Sequence, residues 1–109
     1  MHPNSFNDMT KTTLSEEEDR LIMYFEGRLD TPDTEKVKKD MKVLFDCHDQ
    51  TIVLDLTDLK YACSGGLRLF LSLLQEGRKN GCTVTVTGLS PYLHRVFDET
   101  GFTRLFKLG

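Results

Sequence analysis

Residues 51–56, TIVLDL, constrain the fold of this chain more than any others. The run is short, β-branched and largely apolar, the pattern of a strand buried on both faces within a parallel sheet. Parallel neighbours cannot be joined by a tight turn, so such a strand requires a helical crossover on each side. The flanking sequence supplies both. Upstream, Thr31 and Pro32 offer a hydroxyl cap followed by proline at the first helical position. Val37, Met41, Leu44 and Phe45 then recur on one helical face, with Lys36, Lys38, Lys39, Asp40 and Lys42 mostly off it. Downstream, Ser64 is placed to cap a helix running toward Asn80, with Gly81 as its stop and Leu67, Phe70, Leu71 and Leu74 as its apolar stripe.

The remaining segments extend the alternation. Residues 11–15 and a run in which Leu21, Met23 and Phe25 alternate with Ile22, Tyr24 and Glu26 form a β-hairpin about a turn at 16–19, and residues 27–30 leave the sheet. Residues 83–87 (TVTVT) form a strand, and Ser90 with Pro91 repeats the hydroxyl-then-proline helix start. Leu93, Val96 and Phe97 line that helix, Gly101 ends it, and residues 103–108 form a last short strand. The order β-β-α-β-α-β-α-(β) predicts an α/β fold: one mixed, mostly parallel sheet with an N-terminal β-hairpin and three or more helices. Residues 1–10 form a disordered polar N-terminus ahead of a domain spanning 11–109.

A chain of 109 residues accommodates one such domain. A net charge of −3 removes the overall basic footprint of a general nucleic-acid binder. The charge is uneven, with 8 Lys/Arg against 14 Asp/Glu in residues 1–60 and 6 against 3 in the rest. Cys47, Cys63 and Cys82 form neither a CxxC pair nor an even disulfide set, which fits a reducing cytoplasm, and they make no metal spacing with the histidines. No apolar run approaches the ~20 residues of a membrane span. The expectation is a cytoplasmic protein without cofactor, metal, membrane insertion or catalysis.

In open α/β sheets ligands gather at the carboxyl ends of the strands. Three helices begin there, at Thr31, Ser64 and Ser90, and each helix start favours an anion. Ser64 differs in its neighbours: Gly65 and Gly66 either clear space beside its hydroxyl or let the helix pack closely on the sheet. Leu69 and Leu73 point away from the assigned stripe, so with Leu67 they either flank the core or form a contact patch. Cys63, ahead of the helix, is either a buried inert thiol or a reactive one.

Residues 51–74, TIVLDLTDLKYACSGGLRLFLSLL, resemble the central segment of STAS domains, the sulphate transporter and anti-sigma factor antagonist family. Members read as an apolar strand, an Asp-Leu loop, then Asp-Ser-Ser/Thr-Gly-Leu opening a helix. Gly27, Arg28, Leu29 and Asp30 resemble the family's Gly-x-Leu-Asp exit from the second strand. The helix after Ser90 and Pro91, with Gly101 and Phe102, resembles its last helix and turn. The resemblance implies a cytoplasmic bacterial regulator of transcription that binds an anti-sigma factor doubling as a serine kinase and is reset by a serine phosphatase. Ser64 falls on the phosphoacceptor. Asp30, Thr31, Tyr61, Cys63, Gly65, Gly66, Leu67, Arg68 and Ser90 fall on the partner face of a monomer or weak homodimer. Cys63 replaces the family's acidic residue and Gly65 its second hydroxyl, leaving Ser64 the only acceptor. The alternative is an unphosphorylated adaptor or subunit in a transport or stress-sensing complex.

Overall fold

The computed structural model describes residues 10–108. The first nine residues of the polar N-terminus lie outside the described residues. Thr10 is buried, and its hydroxyl donates to the Arg28 carbonyl at 2.7 Å.

Five strands form one sheet in the order β1-β2-β3-β4-β5. β1 (Lys11–Glu16) and β2 (Arg20–Leu29) are the expected antiparallel hairpin, and β3 (Thr51–Ala62), β4 (Thr83–Thr87) and β5 (Lys107–Leu108) follow in parallel. A 3-10 turn (Thr31–Asp33), α1 (Thr34–Asp40) and α2 (Lys42–Phe45) join β2 to β3. α3 (Ser64–Lys79) joins β3 to β4, and α4 (Pro91–Thr100) with α5 (Phe102–Leu105) leads to β5. Of residues 103–108, the first three are therefore helix, and strand is confined to Lys107–Leu108.

Each strand from β2 onward is added on the same side of the last one. Right-handed crossovers then carry every helix to one face of the sheet. That corrects the expectation of a central strand buried on both faces. Ile52, Leu54 and Leu56 are inaccessible, whereas Thr51, Val53 and Asp55 on the opposite face are half-buried. The single core unites Leu21, Met23 and Phe25 of the sheet with Val37, Met41, Phe70, Leu93 and Phe97 of the helices. Phe25 and Phe70 meet edge to face at 5.4 Å. Phe97, Phe102 and Phe106 form a second aromatic group with centroids 5.5–5.9 Å apart.

α3 buries Gly66, Leu67, Phe70, Leu73, Leu74 and Gly77. Leu73 is a core residue and Leu71 is half-buried, so the contact patch suggested for Leu67, Leu69 and Leu73 does not exist.

Candidate functional site

β2 and β3 are both longer than their apolar patterns. β3 carries an extra residue at each of two register shifts; Gly27, at φ +87°, takes the left-handed conformation beside the second, and pairing continues past it to Arg28 opposite Tyr61 and Leu29 opposite Ala62. β4 stops much earlier, at Thr87 opposite Asp55. The ends of β2 and β3 thus project beyond the sheet as a two-stranded ribbon, and Ser64 stands at its tip.

Three contacts build the tip. The Cys63 N–H donates to the Leu29 carbonyl at 2.8 Å, tying the two strand ends together. Gly66 packs directly over Leu29, where a Cβ would lie 2.6 Å from Cδ2. At Gly65 a Cβ would lie 3.2 Å from Thr34 Cγ2. The glycines therefore serve close packing, which decides against an open space for another molecule.

Capping also differs from the sequence reading. Asp30, not Thr31, caps the first turn: its Oδ1 accepts from the Thr31 N–H at 2.8 Å. Cys63 is the N-cap of α3 and makes no side-chain bond to it, while Ser64 is the first helical residue. Among the described residues the Ser64 hydroxyl has no hydrogen-bond partner, and the side chain is exposed. Ser90 is the cap expected, accepting from the Leu93 N–H at 3.1 Å.

The tip brings together Asp30, Thr31, Ser64 and Gly65. Arg68, exposed, lies one helical turn after Ser64 on the same side. Cys63, Gly66 and Leu67 are buried and shape the tip from beneath. Burial at 7% exposure withholds the Cys63 thiol from solution, which argues against a nucleophilic role.

Tyr61 lies on the ribbon itself, and Ser90 lies in the β4–α4 loop that faces its side. The Arg28 guanidinium lies 4.5 Å over the Tyr61 ring, and Tyr61 stacks on Tyr92 at 6.3 Å and 21°. Ser90 and Tyr92 line a cleft of about 840 Å³ with Gly27, Asp58 and Lys60. Arg28 and Tyr92 were not singled out by the sequence, since only the bulged register sets Arg28 beside Tyr61. No group of three metal-ligating side chains occurs among the described residues, and no helix there is long and apolar enough to cross a membrane.

The family model of the STAS domain matches residues 11–109. BtrV of Bordetella bronchiseptica, to which an anti-sigma factor antagonist role is ascribed, is 27% identical over 99 residues, covering 91% of this chain and 85% of that protein. The anti-sigma-B factor antagonist of Listeria monocytogenes is 27% identical over 90 residues, 83% of this chain and 79% of that one. Among solved structures, the Bacillus cell fate determinant SpoIIAA in its phosphorylated form superposes with a TM-score of 0.70 at 18% identity, over 91% of each chain.

Proposed function

The chain belongs to the STAS domain family, and we propose that it acts there as an anti-sigma factor antagonist, switched by phosphorylation of Ser64. The observation that carries this reading is the placement of Ser64: an exposed hydroxyl, outside any capping bond, on the first residue of a 16-residue helix at the tip of the β2–β3 ribbon. A hydroxyl engaged as a cap would have to give up that bond to accept a phosphoryl group. Ser64 does not.

The partner is an anti-sigma factor that is also a serine kinase, and a serine phosphatase restores the hydroxyl. The domain contributes a shaped surface and an acceptor; the phosphoryl chemistry belongs to the kinase, and the setting is the bacterial cytoplasm. Thr31, Arg68 and the half-buried Asp30, Tyr61, Gly65 and Ser90 form the docking face, on the frame set by Cys63, Gly66 and Leu67.

A phosphate adds about −1.5 to −2 charge in the middle of that face. The positive end of α3 tolerates it, worth about 0.3–1 kcal/mol, and Arg68 lies within one turn to pair with it. The fold therefore survives modification while the docking surface changes in sign and bulk. Incubation with MgATP and a candidate anti-sigma serine kinase from the same genome tests the site. One phosphate is expected, and none on Ser64→Ala; phosphorylation of Ser64→Ala would overturn the assignment.

A further inference from the structure

β1 is an edge of the sheet, and its open side has a defined hydrogen-bonding parity. The hairpin closes with the Glu17 N–H donating to the Arg20 carbonyl at 2.9 Å, in the register that sets Glu16 opposite Leu21. Glu17 and Arg20 are thus a hydrogen-bonded pair of the antiparallel ladder, and such pairs recur at every second residue. Ser15, Thr13 and Lys11 therefore direct their backbone groups to β2. Thr12, Leu14 and Glu16 direct theirs outward, where no other described strand pairs with them. An edge in this state is a template for another strand.

The side chains of the same three residues lie on the core face, opposite Phe25, Met23 and Leu21, all of which are buried. Thr12 is held by Asp40, with its hydroxyl donating to Oδ2 at 2.8 Å. Leu14, midway along the strand, is 36% exposed at the open margin of the core. The charges are divided along the strand: Lys11 stands at one end, and Glu16, Glu17, Glu18 and Asp19 gather at the other end and in the turn, all exposed.

We propose that β1 pairs antiparallel with β1 of a second copy of this chain, across a two-fold axis at Leu14, joining the two sheets into one. Outward-directed residues must oppose outward-directed residues. Leu14 then faces Leu14 of the second copy, Thr12 faces Glu16 of the second copy, and each opposed pair exchanges both of its N–H···O bonds. The two leucines meet on the core face and close each other's margin. On the far face Thr13 opposes Ser15 of the second copy, and Lys11 opposes its Glu17. Each lysine thereby lies beside the other copy's acidic turn. Parallel pairing would instead align the two acidic ends, so charge selects the antiparallel orientation.

The contact is one six-residue strand from each copy, well below the ~1,600 Å² of a standard interface, so dimerisation is weak and depends on concentration. Ser64 lies beyond the end of β3, not on β1, and both copies keep it exposed. A dimer therefore presents two acceptor sites on one particle.

Sedimentation equilibrium on the full chain, from about 5 μM to about 1 mM, tests the pairing. The mass is expected to rise from 12.5 kDa toward twice that value. Over the same range, hydrogen exchange of the Thr12, Leu14 and Glu16 amides slows by about tenfold, and that of Thr13 and Ser15 does not change. Leu14→Lys sets two ammonium groups together at the axis and stays monomeric, whereas Leu14→Val dimerises. A monomer at every concentration overturns the proposal. So does a dimer that survives Leu14→Lys, or one that protects other amides. The exchange pattern is read on the unaltered chain and decides the matter even if a variant folds poorly.

Discussion

Gly66 and Leu29 touch so closely that no larger residue fits at position 66: an added Cβ would lie 2.6 Å from Leu29 Cδ2 and 2.7 Å from Cγ. Leu29 is fully buried and cannot swing aside. This contact sets the height of α3, which begins at Ser64, over the end of β2. Gly66→Ala should therefore destabilise the fold by about 1–3 kcal/mol through overpacking, outweighing the ~1 kcal/mol gained in helix propensity. Gly65→Ala meets only Thr34 Cγ2 at 3.2 Å and should stay within about 0.5 kcal/mol of the parent. Urea denaturation of the two variants separates these outcomes.

The two serines that begin helices should also separate. Ser90 accepts a hydrogen bond from the Leu93 N–H, so Ser90→Ala should lose about 1 kcal/mol. Ser64 makes no such bond, and Ser64→Ala should change stability by less than about 0.5 kcal/mol. Equal losses in thermal denaturation would contradict the difference in capping.

Helix boundaries are legible at Ser90 and at the C-terminal glycines, whereas at Thr31 and Ser64 the cap is the preceding residue. Ser90 with Pro91, and the glycines at 81 and 101 after the longer helices, act within one turn of the backbone they cap or stop. The ribbon was not legible. Thr57 and Asp58 interrupt the apolar pattern of β3, and the strand continues only because Glu26, Gly27, Arg28 and Leu29 of β2 pair with it across two register shifts. The buried stripe of α3 was misplaced for a related reason. Gly66 and Gly77 belong to that stripe, since an added Cβ on Gly77 would lie 3.0 Å from Val84 Cγ2. A stripe drawn through large side chains alone tilts toward Leu71 and away from Leu73.

Substitution of the leucines tests the corrected stripe. Leu73→Ala should cost about 2–5 kcal/mol, as for a fully buried leucine. Leu69→Ala, half-buried, should cost clearly less. Comparable losses in chemical denaturation would restore the original assignment.

At the opposite end of the sheet Cys47 donates to Gln50 Oε1 at 2.9 Å, and the Cys82 thiol donates to the Cys47 carbonyl at 3.4 Å. Burial, then the neighbouring Cys82 thiol and the Asp49 charge, push the Cys47 thiol from 9.0 up to about 11. The folded protein thus holds this proton more tightly than the unfolded chain does. The contribution to stability is complete below pH 9, falls as pH rises toward about 11, and is lost above that. Denaturation at about pH 8 and about pH 10.5 should show a smaller decline for Cys47→Ala than for the parent. The same decline in both would contradict the assignment.

The switch at Ser64 is tested most directly by titrating the anti-sigma partner calorimetrically with the parent chain and with Ser64→Asp, alongside thermal melts of both. A carboxylate at the start of α3 complements the helix dipole, so the melting temperature should stay within about 2 °C. In the middle of the docking face the same charge should weaken binding by at least about tenfold. Unchanged affinity at unchanged stability would remove Ser64 from the interface and contradict the account.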